Sequence, residues 1–179
     1  EGGAARQPDT FFMKTPQGAI QEVEISKDQM KPPIDGFYHL RFRAVSAPFE
    51  LNSAQYGKSK CVRVVFQVRG GNYDKAMFSQ LLTIANPDKT TGAWRTNLTA
   101  KSAPGQMIGS IRDKDIGDGE PINILDYPNG DFMAMVKQST KAGENGIEVR
   151  ASVTKDSWAT IPKEPVMAGA AAAAGPNPF

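Results

Sequence analysis

Arg41 and Arg43 stand two residues apart, as do Lys58 and Lys60, while Arg63 and Arg69 share one parity of the apolar run that follows. Cations repeated at this interval emerge on one side of an extended chain, where they can neutralise successive phosphates of a polyanion. Tyr56, Tyr73 and Trp94 supply flat rings on which bases can stack, and Lys141 adds a cation near the C-terminal end. The plain alternative is a solvated sheet face on which arginines alternate without a ligand.

Other chemistry has less to work with. The single histidine, His39, and the single cysteine, Cys61, fall in different runs, with no nucleophile motif around Cys61. One cysteine also excludes an intrachain disulfide framework and a thiolate zinc site within one chain. The run Asp113-Lys114-Asp115-Ile116-Gly117-Asp118-Gly119-Glu120 alternates carboxylates as a calcium loop does. Its third carboxylate comes one position late and no glutamate closes the loop, so it reads as a solvated acidic turn. No phosphate-cradling glycine motif occurs, and Asn97-Leu98-Thr99 is a glycosylation triplet by letters only. The expectation is a binding protein without catalytic residues, metal or cofactor.

The cations need strands to carry them. In Lys60 to Gly71, Val62, Val64, Phe66 and Val68 point one way and Cys61, Arg63, Val65, Gln67 and Arg69 the other, the pattern of a half-buried strand. Upstream, Tyr38, Leu40, Phe42 and Ala44 alternate with His39, Arg41 and Arg43. A loop is expected from Ser46 to Ser59, with Phe49, Tyr56, Lys58 and Lys60 toward its end. Met77 to Ile84 reads as a third strand. Trp94 to Ile111 suggests a short helix broken at Pro104-Gly105. Asp131 to Gln138 and Ile147 to Thr154 form a closing hairpin around a loop from Ser139 to Gly146, with Ile147, Val149, Ala151 and Val153 inward.

Five strands with one helix before the fourth match a mainly β, five-stranded Greek-key barrel of the OB type; a small β-sandwich fits the same count. The domain spans residues 31–162. Residues 1–30 form an N-terminal arm, disordered at its start, with Phe11-Phe12-Met13 as an anchor and a short edge strand at Ala19 to Ile25. Residues 163–179, with Ala170 to Ala174 between glycines and prolines, read as a low-complexity tail.

The formal net charge of +2 is unevenly spread: residues 31–115 hold thirteen basic and six acidic side chains, and both ends are acidic on balance. An excess concentrated on the arginine-bearing strands suits a polyanionic partner. No apolar run approaches the roughly 20 residues that a membrane helix needs. No signal-peptide pattern is visible, and the chain opens on Glu1 rather than methionine.

Pro33-Ile34-Asp35-Gly36-Phe37-Tyr38, the Gly57-Lys58-Ser59-Lys60 lead into an apolar strand, and the closing Met133-to-Pro162 hairpin with Lys141-Ala142-Gly143 together resemble, in layout over about residues 33–162, phage-type single-stranded DNA-binding proteins of OB-fold. The resemblance implies a sequence-tolerant binder of single-stranded DNA, or of RNA, in viral DNA replication or recombination, located in the cytoplasm of an infected bacterial host. The terminal Asn177-Pro178-Phe179 is similar to the tip by which such proteins recruit partners, but it follows alanines rather than an acidic run. On this reading Arg41, Arg43, Lys58, Lys60, Arg63, Arg69 and Lys141 meet phosphates, and Tyr56, Tyr73 and Trp94 meet bases. The alternative is a phage structural protein of the capsid-decoration or tail kind, self-associating through Phe11, Phe12 and the C-terminal tail.

Overall fold

The computed structural model of the protein describes residues 9–55, 57–143 and 146–162. Tyr56 and the tail with Pro178 and Phe179 therefore lie outside the described residues. The chain forms β1 (Thr10–Lys14), β2 (Ile20–Glu24), β3 (Gly36–Ser46), β4 (Phe49–Ser53), β5 (Gly57–Val68), β6 (Met77–Pro87), β7 (Trp94–Thr96), α1 (Ala103–Arg112), β8 (Asp131–Gly143) and β9 (Gly146–Val153). The mainly β class is as expected. Among the described residues the strands number nine rather than five, and all lie in one curled antiparallel sheet, a half-barrel rather than two stacked layers.

β3 and β5 are the hub. One edge of β3 pairs with β5, from Leu40 opposite Val68 to Val45 opposite Val64. Its other edge takes β8 and, further along, β1. β5 carries β6 on its far side, with Phe66 opposite Phe78. β8 turns back into β9, and the backbone N–H of Val153 at the end of β9 donates to Gln80 Oε1 of β6 at 2.8 Å, so the sheet curls until its two flanks meet.

The inner face packs Leu40, Phe42, Val62, Val64, Phe66, Val68, Phe78, Leu82, Phe132, Ala134 and Val136 against Met107 and Ile108 of α1. Phe66 sits at its centre, edge-on to Phe42, Phe78, Phe132 and Trp158 at centroid distances of 5.4–6.4 Å.

Several sequence expectations change for identifiable reasons. A bulge between Phe42 and Ala44 slips the β3–β5 register by one residue. One slip reverses every side chain beyond it. Ala44 accordingly leaves the face of Phe42 and joins Val65, Phe11 and Ile25 in a second, smaller core beneath the β1–β2 hairpin. The face opposite the main core is thus wet only in part. The loop expected from Ser46 to Ser59 is mostly strand, because Phe49–Ser53 finds a partner in Gly57–Cys61. Pro104 and Gly105 open α1 instead of breaking it: the missing proline N–H costs nothing in a first turn, and Ser102 Oγ accepts from the Gly105 N–H at 3.0 Å. Gly105 is needed there, since a Cβ would lie 1.6 Å from the Thr99 carbonyl oxygen. The loop expected from Ser139 to Gly146 is likewise a ladder, pairing Ser139 with Arg150 and Lys141 with Glu148.

Candidate nucleic-acid interface

β3 and β5 deliver most of the expected cations, but the surroundings sort them into unequal groups. Arg41 lies opposite Gln67 on the outer face, and its guanidinium grips Asp131 of β8 through Nε at 2.8 Å and Nη2 at 3.3 Å. His39 Nε2 lies 2.8 Å from Oδ2 of the same carboxylate, the oxygen that Arg41 Nη2 also reaches. Burial alone would push Asp131 up; hydrogen bonds from Arg41 and His39 outweigh it and hold the carboxyl below its usual range. The same hydrogen bond raises Arg41. Its charge is largely matched within the fold. Arg43 occupies the bulge and places Nη1 3.6 Å from Met13 Sδ of β1, half-buried against the N-terminal hairpin.

Arg63 is different. It stands mid-strand on β5, opposite Leu81, and donates from Nη1 to Ser79 Oγ of β6 at 3.1 Å. Burial lowers its pKa, and the neighbouring charge of Arg150 from β9 lowers it further. Two guanidiniums more than eighty residues apart in sequence are thus brought within electrostatic reach. Arg150 also holds Glu148 at 2.8 Å, and Glu148 is shared with Lys27. Arg69 is half-buried at the far end of β5, where its N–H donates to the His39 carbonyl.

The lysines and tryptophan form a second group. Alternation puts Lys58 and Lys60 on the pleat face of Val62, opposite to Arg63. Lys60 Nζ sits 4.6 Å from the Trp94 ring centroid, a cation–π contact that holds the indole beside the end of β5. Arg95 follows on β7 and approaches Asp88 at 3.7 Å. Tyr73 lies elsewhere, edge-on to Tyr38 at 6.2 Å in the turn after β5. Lys141 is exposed near the tip of the β8–β9 hairpin.

Residues 58–61 of β5 thus belong to the β4–β5 hairpin, and Arg63, just beyond it, lies within electrostatic reach of Arg150 on the β8–β9 hairpin. Arg150 is the member that sequence reasoning missed. Its alternation with Val149 and Ala151 was visible, but only the closure of β9 onto β6 brings it toward Arg63.

The remaining candidate chemistry disperses. Leu40 lies opposite Val68, so Cys61 is seven residues further along β5 than His39's end of the ladder, about 23 Å at strand rise. Cys61 is buried between Ser59 and Thr83. Among the described residues, no three His, Cys, Asp or Glu side chains converge as metal ligands. In the acidic turn, Arg112 grips both oxygens of Glu120 at 2.7 Å and the Lys114 and Asp115 carbonyls, clamping the loop to α1. Two clefts beside α1 are lined by Gln106, Ser110 and Trp158 and by Leu98, Ile116 and Pro121; neither includes a cation of β3 or β5. No described helix is long and apolar enough to cross a membrane. Compared with known proteins, the chain matches no family model, no curated protein and no solved structure.

Proposed function

We propose that the protein binds single-stranded DNA without strong sequence preference, along β5 between the β4–β5 and β8–β9 hairpins. The observation that carries this reading is the placement of Arg63, tied to Ser79 and within electrostatic reach of Arg150. Like charges gathered from distant segments repel one another, and an anion laid between them relieves that repulsion. Lys141 adds positive charge near the β8–β9 tip, while Lys58 and Lys60 add it on the opposite pleat face of β5, where Trp94 offers a stacking face beside Lys60.

The connectivity supports the same reading. Strands β9-β8-β3-β5-β6, in that spatial order and with α1 inserted before β8, follow the path of a five-stranded OB barrel; β1, β2, β4 and β7 are additions around it. OB barrels bind oligonucleotides across their second and third strands, here β5 and β6, between two flanking loops. Arg41 and Arg43 have smaller parts, because Asp131 and the N-terminal hairpin engage them. Service in viral DNA replication or recombination is the role this binding would fill.

Intrinsic fluorescence tests it. Trp158 is packed on Phe66 and Phe132, whereas Trp94 lies at the strand end. A thymidine oligonucleotide is expected to quench the wild type and to leave Trp94→Phe unquenched. Equal quenching in both proteins, or none in either, contradicts base stacking on Trp94.

A further inference from the structure

One edge of β9 carries no strand partner among the described residues. Ile147, Val149, Ala151 and Val153 form one stripe, but only Ala151 and Val153 are buried; Ile147 is 72% exposed and Val149 47%. The apolar face thus runs out beyond the body of the fold. Among the described residues β9 pairs only with β8, so its other edge is open to strand pairing along the projecting part. The direction of its backbone groups follows from Val153, whose N–H turns away from β8 to reach Gln80 on β6. Backbone groups alternate sides along a strand, so Ile147, Val149 and Ala151 also turn theirs outward, away from β8. At Ile147 and Val149, where the side chains are exposed, such outward N–H and C=O groups template strand addition, whereas Ala151 is already buried.

We propose that two copies of the chain join through antiparallel β9–β9 pairing centred on Val149. The charge pattern selects both partner and register. With the two-fold axis at Val149, Glu148 of each copy faces Arg150 of the other, Ile147 faces Ala151, and Val149 faces its own counterpart. A centre at residue 148 would oppose two glutamates, and a centre at residue 150 two arginines; like charges directly opposite are destabilising. The two Val149 residues then form a hydrogen-bonded pair in which each outward N–H meets the other copy's carbonyl. The same interface uses one surface on both copies, as two-fold symmetry requires. The assembly needs no nucleic acid.

Sedimentation equilibrium tests the proposal. The wild type is expected at twice the chain mass of 19.3 kDa. Glu148→Arg alone and Arg150→Glu alone each place like charges across the axis and should sediment as monomers. An equimolar mixture of the two should return to the dimer mass, because each then meets its complement. Val149→Pro removes an N–H that β8 does not use, so it should keep the hairpin yet yield a monomer. Circular dichroism confirms folding of every variant. A monomeric wild type, single variants that remain dimeric, or folded variants that do not recover on mixing would overturn the proposal.

Discussion

Phe66 is the side chain on which the interior most depends, since it touches rings from β3, β6, β8 and the C-terminal segment at once. Phe66→Ala is expected to cost about 3–5 kcal/mol, read as a lower urea midpoint, because so many neighbours cannot all relax into the space. Glu120 offers a test by pH. Hydrogen bonds from Arg112, and then from the Gly117 N–H, hold its carboxyl at about 2, against an ordinary value of 4.5. A depressed folded-state pKa contributes stability above the unfolded value and loses it as pH falls. Glu120→Gln is therefore expected to be less stable than wild type at neutral pH, with the gap closing between about 4.5 and about 2. Urea midpoints measured across that range check this; a gap that does not vary with pH would contradict it. The sequence treats Arg41 and Arg63 alike, as cations on one strand face. What separates them is Asp131, 90 residues from Arg41, and no local pattern carries that information.

Among the elements, β9 meets β6 through core packing of Ala151 and Val153 and a backbone-to-side-chain bond, Val153 N–H to Gln80 Oε1. Gln80→Ala leaves that N–H without its acceptor and should cost about 1–3 kcal/mol. Hydrogen exchange at the Val153 amide should quicken far more than at Phe66; equal protection in both proteins would mean that another contact closes the barrel. The strands that carry the main core were legible because their alternation is strict: Val62 to Val68, Met77 to Ile84, Asp131 to Gln138. The helix was legible in place but not in its start, since Pro104-Gly105 reads as a breaker until Ser102 is seen to cap it. Three features were not legible. A bulge leaves no mark in alternation until its partner strand is known, so Ala44 was assigned to the wrong face. β4 is short and owes its existence to β5. Ile147 and Val149 continue a buried stripe by letter, and only the end of the body shows that they are bare.

For the molecule as a whole, the proposed binding surface is the face of β5 that carries Arg63, within electrostatic reach of Arg150 on the β8–β9 hairpin. The basic excess of residues 31–115 pointed to β3 and β5, but the fold spends Arg41 on Asp131 and brings Arg150 to Arg63 instead. Binding should accordingly depend on Arg63 more than on Arg41. The most direct measurement is titration of a labelled single-stranded oligonucleotide, with a duplex of the same length as control, at two salt concentrations. Phosphate contacts release counterions, so affinity should fall steeply with salt, and Arg63→Ala should weaken binding to all sequences alike and flatten that salt slope by about one unit. Arg41→Ala should leave the slope nearly unchanged. Binding that is absent at low salt, or that Arg63→Ala and Arg41→Ala alter equally, would contradict the central claim.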